Sequence, residues 1–206
     1  MTVKPGWEGR YFEDFEVGDI YRCRLGRTVT EADNIWFTLL TNNTNQIHFN
    51  NEYGKRTEFG KCLINSALTL AIVAGMGLAA VDEYERIITT SKAPWSDGVQ
   101  RSDHPVWKEK FGRAMALVDA AVALSARGGQ LYEEFARRSV AGLEPFSAER
   151  ALRLNNMYFM AENQVWEAIE LMLRSAGSRH SAEGSRLLRY FRDLVTSRTV
   201  SDQFEL

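Results

Sequence analysis

Cysteine, histidine and proline are scarce in this chain: its 206 residues include two, three and four of them. Cys23 and Cys62 stand far apart with no secretory leader read ahead of them, which argues against a disulfide scaffold and points to a reducing cytoplasm. As free thiols they are expected to act as small apolar fillers. The three histidines, His48, His104 and His180, are scattered and make no recognisable metal site with two distant thiols. Charge of one sign is not in excess either. With 25 Lys and Arg against 27 Asp and Glu, a net charge of -2 gives no general pull towards nucleic acid or an anionic membrane. An acidic ligand therefore needs a local basic pocket. The longest apolar run, "CLINSALTLAIVAGMGLAAV", is interrupted by Asn65, Ser66 and Thr69 and soon meets Glu83 and Glu85, so a buried helix is expected and no membrane span. There is no internal repeat or low-complexity segment. Gly75, Gly77, Gly128 and Gly129 do not form a phosphate loop; Gly75 and Gly77 are expected to permit close contact between helices.

What is present is an ordinary globular composition, 45% hydrophobic and 25% charged, in a length that allows one large domain or two small ones. The texture changes near residue 66. In "YFEDFEVGDIYRCRLGRTVT", Val17-Gly18-Asp19 reads as a turn, followed by a strand or bent hairpin through Ile20, Tyr21, Cys23, Leu25 and Val29 with a bend at Gly26. Thr30 with Asp33 then starts a short helix that should turn Ile35, Trp36, Leu39 and Leu40 towards a core. From Leu63 onward apolar residues recur at three and four. A helix is predicted from about Ile64 to Thr90, with Leu68, Ala71, Ile72, Met76, Ala79 and Tyr84 inward, and Pro94, Gly98 and Pro105 make a loop of residues 92 to 105. A second helix reaches about Val140 through Trp107, Phe111, Met115, Val118, Val122 and Leu131. Ser147 caps a third with a stripe of Leu154, Tyr158, Val165, Ile169 and Leu173, ended by Gly177, and Ser181 caps a fourth. Four antiparallel helices with short links give an up-and-down bundle.

The stretch "LLTNNTNQIHFNNEYGKRTEFGK" holds the chemistry of interest. His48 can titrate near neutrality, either to carry protons or simply to bond within its loop. Asn42, Asn43, Asn45, Asn50 and Asn51 read as turn formers or as ligands. Lys55, Arg56 and Lys61 are solvated charge or a phosphate-binding cluster. His104 and His180 read as solvated.

Two resemblances follow from quoted runs. "GRYFEDFEVGDIYR", "TVTEADNIWFTLLT", "NQIHFNNEYGKRTEFGK" and "LINSALTLAIVAGM" together resemble the opening half of the MaoC-like dehydratases, acyl-CoA hydratases of hot-dog fold, over about residues 8 to 76. In that family the loop before the central helix supplies an acid and a histidine within a D-x-N-P-x-H pattern. Here the histidine falls on His48, the amide on Asn45, and the acid on Asn43, which can orient water or substrate but cannot accept a proton. Glu52 or Glu58 replaces the acid if the loop folds back. Ser66 falls where the family's oxyanion donor opens the central helix, a helix end suited to negative charge, and Lys55, Arg56 and Lys61 fall where CoA phosphates could be met.

"KFGRAMALVDAAVALSARGGQLYEEFARRSV" and "LLRYFRDL", with the helix before them, resemble the C-terminal helical domain of acyl-CoA dehydrogenases, especially the branch with flavin-dependent monooxygenases, over about residues 67 to 206. That branch carries a histidine eight residues after the Arg of "RD"; counted from Arg192 the position is Val200, which argues against hydroxylation. The fold implied is mainly α: a partial hot-dog (α+β) segment, residues 1–66, fused through its central helix to a four-helix bundle of acyl-CoA dehydrogenase C-terminal type, residues 67–206. Helices occupy the place of the later hot-dog strands, and an unclosed sheet exposes its edges, so the N-terminal piece is expected to dock on the bundle or to pair with another subunit. The resemblances imply a hydratase or dehydratase of an acyl-CoA or carrier-bound thioester, in a homo-oligomer (dimer or tetramer). The alternative is a non-catalytic assembly or accessory subunit. No cofactor is expected, FAD or FMN entering only with a partner.

Overall fold

The computed structural model describes residues 3–5, 16–17, 20–22, 29–182 and 184–201, and the chain divides into two compact units, Met1–Asn65 and Ser66–Leu206. In the first unit, strand β1 (Val3–Pro5) pairs in parallel with β2 (Ile20–Arg22), Lys4 opposite Tyr21. The strand expected at Ile20 is therefore present, and its partner among the described residues lies earlier in the chain. Cys23, Leu25 and Gly26 lie outside the described residues.

Helix α1 (Glu31–Leu40) starts as expected: the Thr30 backbone N–H donates to the Asp33 carboxylate at 2.8 Å. Its inner face is not the expected one. Trp36, Leu39 and Leu40 are 66%, 51% and 73% exposed, whereas Asn34 and Thr38 are 4% and 0% exposed. Residues four apart share a helix face, and this face is polar. It can be buried because both side chains find hydrogen-bond partners there; without them, an interior amide or hydroxyl is strongly unfavourable.

The second unit is built from α3 (Ser66–Thr90), α4 (Pro105–Val140), α5 (Ala148–Ala176) and α6 (Arg186–Ser201). The helices alternate in direction. The Trp107 indole at the start of α4 donates to Ser175 O at the end of α5, and the Tyr84 hydroxyl near the end of α3 lies 2.6 Å from Ser175 Oγ. At the far end Arg150, early in α5, stacks 4.8 Å from the ring centre of Phe135, late in α4. Trp166 of α5 meets Phe191 of α6 at 5.0 Å. The core contains Val73, Tyr84, Ile87, Val118, Val165, Ile169, Met172, Leu187 and Leu194.

Chain punctuation sets the helix limits. Pro105 stands at the first turn of α4, where a missing N–H is harmless. Ser147 Oγ accepts from Arg150 N, and Gly177 ends α5 with φ +90, a left-handed angle that favours glycine. The fourth helix does not begin at Ser181. Ser178–Ser181 is a 3-10 turn, Gly184 takes φ +88, and Ser185 accepts from Arg189 N.

The inward face of α3 also differs from expectation. Of the six residues named, Tyr84 is buried, Leu68, Ile72, Met76 and Ala79 are only partly so, and Ala71 is exposed; Val73, Gly77, Ala80, Ile87 and Ile88 take the core face. The first half of α3 is apolar nearly all round, so periodicity alone did not select a side. By length and composition α3 is apolar enough to cross a membrane, although its core face packs in the bundle. Similarly, Met115 and Val122 of α4 face outward while Ala114, Val118 and Ala121 face in. Close approach decides the geometry at Gly77, where a Cβ would lie 3.1 Å from Val165 Cγ1 and 3.2 Å from Val118 Cγ2; at Gly75 it would meet nothing within 4 Å. Only the first of these two glycines is therefore a contact residue.

One end of the bundle is polar. Arg101 Nη1 donates to Ala176 O at 2.6 Å, and its guanidinium lies 5.3 Å from the Trp107 ring centre. Trp107 and Arg101 thus satisfy the Ser175 and Ala176 carbonyls, and Arg101 sets positive charge at the negative end of the α5 dipole. Glu83, 7% exposed, accepts two hydrogen bonds from Arg86. Burial first, then the positive charges of Arg101 and Arg86, hold the nearby His180 imidazole below its ordinary value; Glu83 pulls the other way and Arg179 adds to the lowering.

Two outcomes are expected. Gly75→Ala should stabilise by about 0.5–1 kcal/mol, since glycine is entropically unfavourable within a helix, and raise Tm by about 1–4 °C. Gly77→Ala should lower Tm, because stiff valines flank it on both sides; calorimetry showing equal rises would contradict this packing. His180 is depressed in the folded state, so below its ordinary value near 6.5 the unfolded chain binds more protons and stability falls with pH. His180→Gln should flatten that loss between neutral and mildly acidic pH, as measured by urea midpoints.

Candidate functional site

The segment from α1 to Asn65 is tied together by side-chain amides. A 3-10 turn, Gln46–His48, and a one-turn helix, α2 (Asn51–Gly54), follow α1. Asn42 ends α1 in the left-handed region with φ 53, which asparagine tolerates. Asn43 Oδ1 accepts from Asn45 N at 3.0 Å, Asn45 Oδ1 accepts from Ile47 N at 3.3 Å, and Asn50 Oδ1 accepts from Glu52 N and Tyr53 N. These oxygens serve as turn and cap acceptors, leaving the Asn43 and Asn45 NH₂ groups for other partners.

His48 is partly buried. Leu63 N donates to Ile47 O at 2.9 Å, laying the returning chain beside the turn, and His48 Nδ1 lies 3.1 Å from Leu63 O. A carbonyl only accepts, so Nδ1 carries the proton and Nε2 carries the lone pair. Among the described residues Nε2 has no hydrogen-bond partner. Such a nitrogen can take a proton from water.

Asn34, Thr38 and Asn65 complete the framework, and none was picked out from the sequence. Asn34 Nδ2 donates to His48 O at 2.9 Å and to Leu63 O at 3.0 Å, while Asn65 N donates to Asn34 Oδ1 at 2.7 Å. Asn65 Nδ2 donates to Thr38 Oγ1 at 3.2 Å. The available signal was two short polar residues four apart in a helix whose other residues from Ile35 to Leu40 are apolar.

The basic cluster is exposed. Lys55 Nζ pairs with Glu52 at 2.7 Å, Arg56 Nε donates to Glu52 O at 3.1 Å, and Lys61 is exposed. Glu52 turns to Lys55, which gives its carboxylate a partner other than His48. Burial, then Glu31, pushes the Cys62 thiol up, keeping it protonated at neutral pH. Ser66 is exposed and opens α3 in the second unit. His104 caps α4, its Nδ1 accepting from Val106 N at 3.3 Å, and meets Trp107 edge-on. Among the described residues no group of three or more His, Cys, Asp or Glu is placed to hold a metal.

Four helices alternating in direction, and a separate amide-held histidine loop ahead of them, define a two-part protein whose larger part is an up-and-down helical bundle. Residues 67–200 match the acyl-CoA dehydrogenase C-terminal domain, and the chain belongs to that family. Residues 14–92 match the MaoC like domain, of hydratase or dehydratase type. The second match begins at 67 before the first ends at 92, so both run through α3. No curated protein and no solved structure matches the chain.

The bundle family raises the question of a flavin. A cleft of about 420 Å³ lies where α4 ends and α5 begins, lined by Phe135, Glu144, Ser147, Arg150 and Arg153 among others. Its polar and aromatic lining is already engaged within the chain. Arg150 is paired with Glu144 and covers the Phe135 face, and the Ser147 hydroxyl caps α5.

The loop is close-packed at Gly54, where a Cβ would fall 2.7 Å from Cys62 N and from Lys61 C, both backbone atoms. Gly54→Ala should therefore displace the returning chain and destabilise the first unit by about 1–3 kcal/mol. Faster amide hydrogen exchange at Ile47 to Leu63, with the bundle unchanged, is the expected readout.

Proposed function

We propose that the chain hydrates, or in reverse dehydrates, an acyl-CoA or carrier-bound enoyl thioester, with His48 carrying the proton. The observation that bears this reading is the Nδ1–H bond of His48 to Leu63 O, which leaves Nε2 as a base. Hydration adds a hydroxyl at C3 and a proton at C2. With an amide at position 43 and Glu52 paired to Lys55, one group does both proton steps in this reading. Nε2 takes a proton from water as its oxygen bonds to C3, and the imidazolium returns that proton to C2 as the enolate collapses. Hydrogen and hydroxyl are added across the double bond and the histidine ends neutral. The NH₂ groups of Asn43 and Asn45 orient water or the thioester, and Lys55, Arg56 and Lys61 meet CoA phosphates. The oxyanion role of Ser66 rests on the resemblance that assigned it.

A second reading, an assembly or accessory subunit that binds acyl groups or a flavin only with a partner, is favoured by the exposed cluster of Trp36, Leu39 and Leu40 on one face of α1. Such a patch is suited to association, in a homo-oligomer or with another protein.

The test is loss of enoyl-thioester absorbance with a panel of enoyl-CoAs. His48→Ala should lower turnover by about 10²–10⁴-fold, the usual range for a positioned acid or base, with circular dichroism unchanged. Undiminished turnover in that variant would remove His48 from the mechanism. An inactive native protein that is folded and oligomeric would favour the second reading.

A further inference from the structure

We infer that Asn34 is the positioning residue for His48: it fixes which ring nitrogen carries the proton and where the imidazole stands. The inference rests on the reading of His48 as the proton carrier, and deepens it. Asn34 lies fourteen residues before His48 in the sequence, on a helix whose apolar side faces away from the loop.

The argument begins with the bonding capacity of one amide. Asn34 is 4% exposed, so its polar atoms must find partners within the protein. Both Nδ2 hydrogens are used, one on His48 O at 2.9 Å and one on Leu63 O at 3.0 Å, and Oδ1 accepts from Asn65 N at 2.7 Å. The Asn65 N–H requires an oxygen on its side of the amide, and the two carbonyls require the nitrogen on the other, so the amide has one orientation. Leu63 O is the shared point. It accepts from Asn34 Nδ2 and, at 3.1 Å, from His48 Nδ1, using the two lone pairs of one carbonyl.

A histidine free in water favours the opposite form, with the proton on Nε2. The Leu63 carbonyl reverses that preference only if it is held at the imidazole, and Asn34 holds it while also anchoring the backbone of His48 itself. Aspartate in place of Asn34 keeps the shape and the acceptor for Asn65 N, but has no N–H for either carbonyl and sets a negative charge against both. Loss of this grip frees Leu63 O to move and lets the ring proton return to Nε2, which removes the lone pair that the proton transfer needs.

The test is a long-range ¹H–¹⁵N correlation spectrum of the histidine rings in the full-length, ¹⁵N-labelled protein, recorded without substrate at alkaline pH. With three histidines in the chain, His48→Gln assigns the signal by its disappearance. The native protein should show His48 protonated at Nδ1, and Asn34→Ala and Asn34→Asp should both shift it towards the Nε2–H form. The dispersion of the amide signals of the first unit, recorded beside those of the bundle, serves as the control for folding. A native His48 protonated at Nε2 overturns the inference before any variant is made, and an unchanged Nδ1–H form in folded Asn34→Asp overturns it as well. The tautomer is read without turnover, so an inactive native protein with the expected tautomer counts against the hydratase reading alone. Where the native protein is active, both Asn34 variants should lower kcat at least tenfold.

Discussion

A carbonyl or amide taken out of water must be met by a partner inside the protein, and both units are organised by that constraint. In the first unit, the requirement reverses the amphipathic reading of α1: Asn34 turns inward because three backbone groups of the neighbouring loop need it, Thr38 because the Asn65 side-chain amide does, and the larger apolar residues are left at the surface. In the second, the last carbonyls of α5 are met by an indole from the first turn of α4 and a guanidinium from the chain leading into it. Hydrophobic burial supplies most of the driving force in the bundle. The polar contacts specify register: which carbonyl lies opposite which donor.

The parts of the fold that could be read in advance were those written in local chemistry. Pro105, Ser147 and Gly177 act on their immediate neighbours, and the limits of α4 and α5 agree with them closely. Inner faces were less legible. The first half of α3 offers apolar side chains in almost every direction, and the side chosen depends on how closely Gly77 lets Val118 and Val165 approach, which is a property of three helices together. At α6, Ser181 and Ser185 are both plausible caps, and the left-handed angle at Gly184 separates them. In the loop, His48 was visible as a residue type. Its neighbours were not, because Asn34 reaches partners fourteen, twenty-nine and thirty-one residues away and no short motif encodes such distances.

The amides around His48 also change what the loop can do. A carboxylate near an imidazole would share its proton chemistry and divide the work between two groups. An asparagine oxygen can orient but holds no proton at neutral pH, so in the proposed reaction the burden falls on one ring, with one nitrogen anchoring and the other reacting. The loop's asparagines further reduce its freedom by fixing successive turns through their own backbone bonds.

α3 carries the overlap of the two family matches, and it does so as one uninterrupted helix of 25 residues with no linker in it. A flexible joint tolerates changes of length, but a helix has a phase. Each residue added or removed turns everything beyond it by about 100° and shifts it by about 1.5 Å. Along α3 the bearing of Ser66 is thereby locked to that of Gly77 and Tyr84, so sequence drift at this seam is confined to substitution, with insertion or deletion admissible only where a whole turn is exchanged.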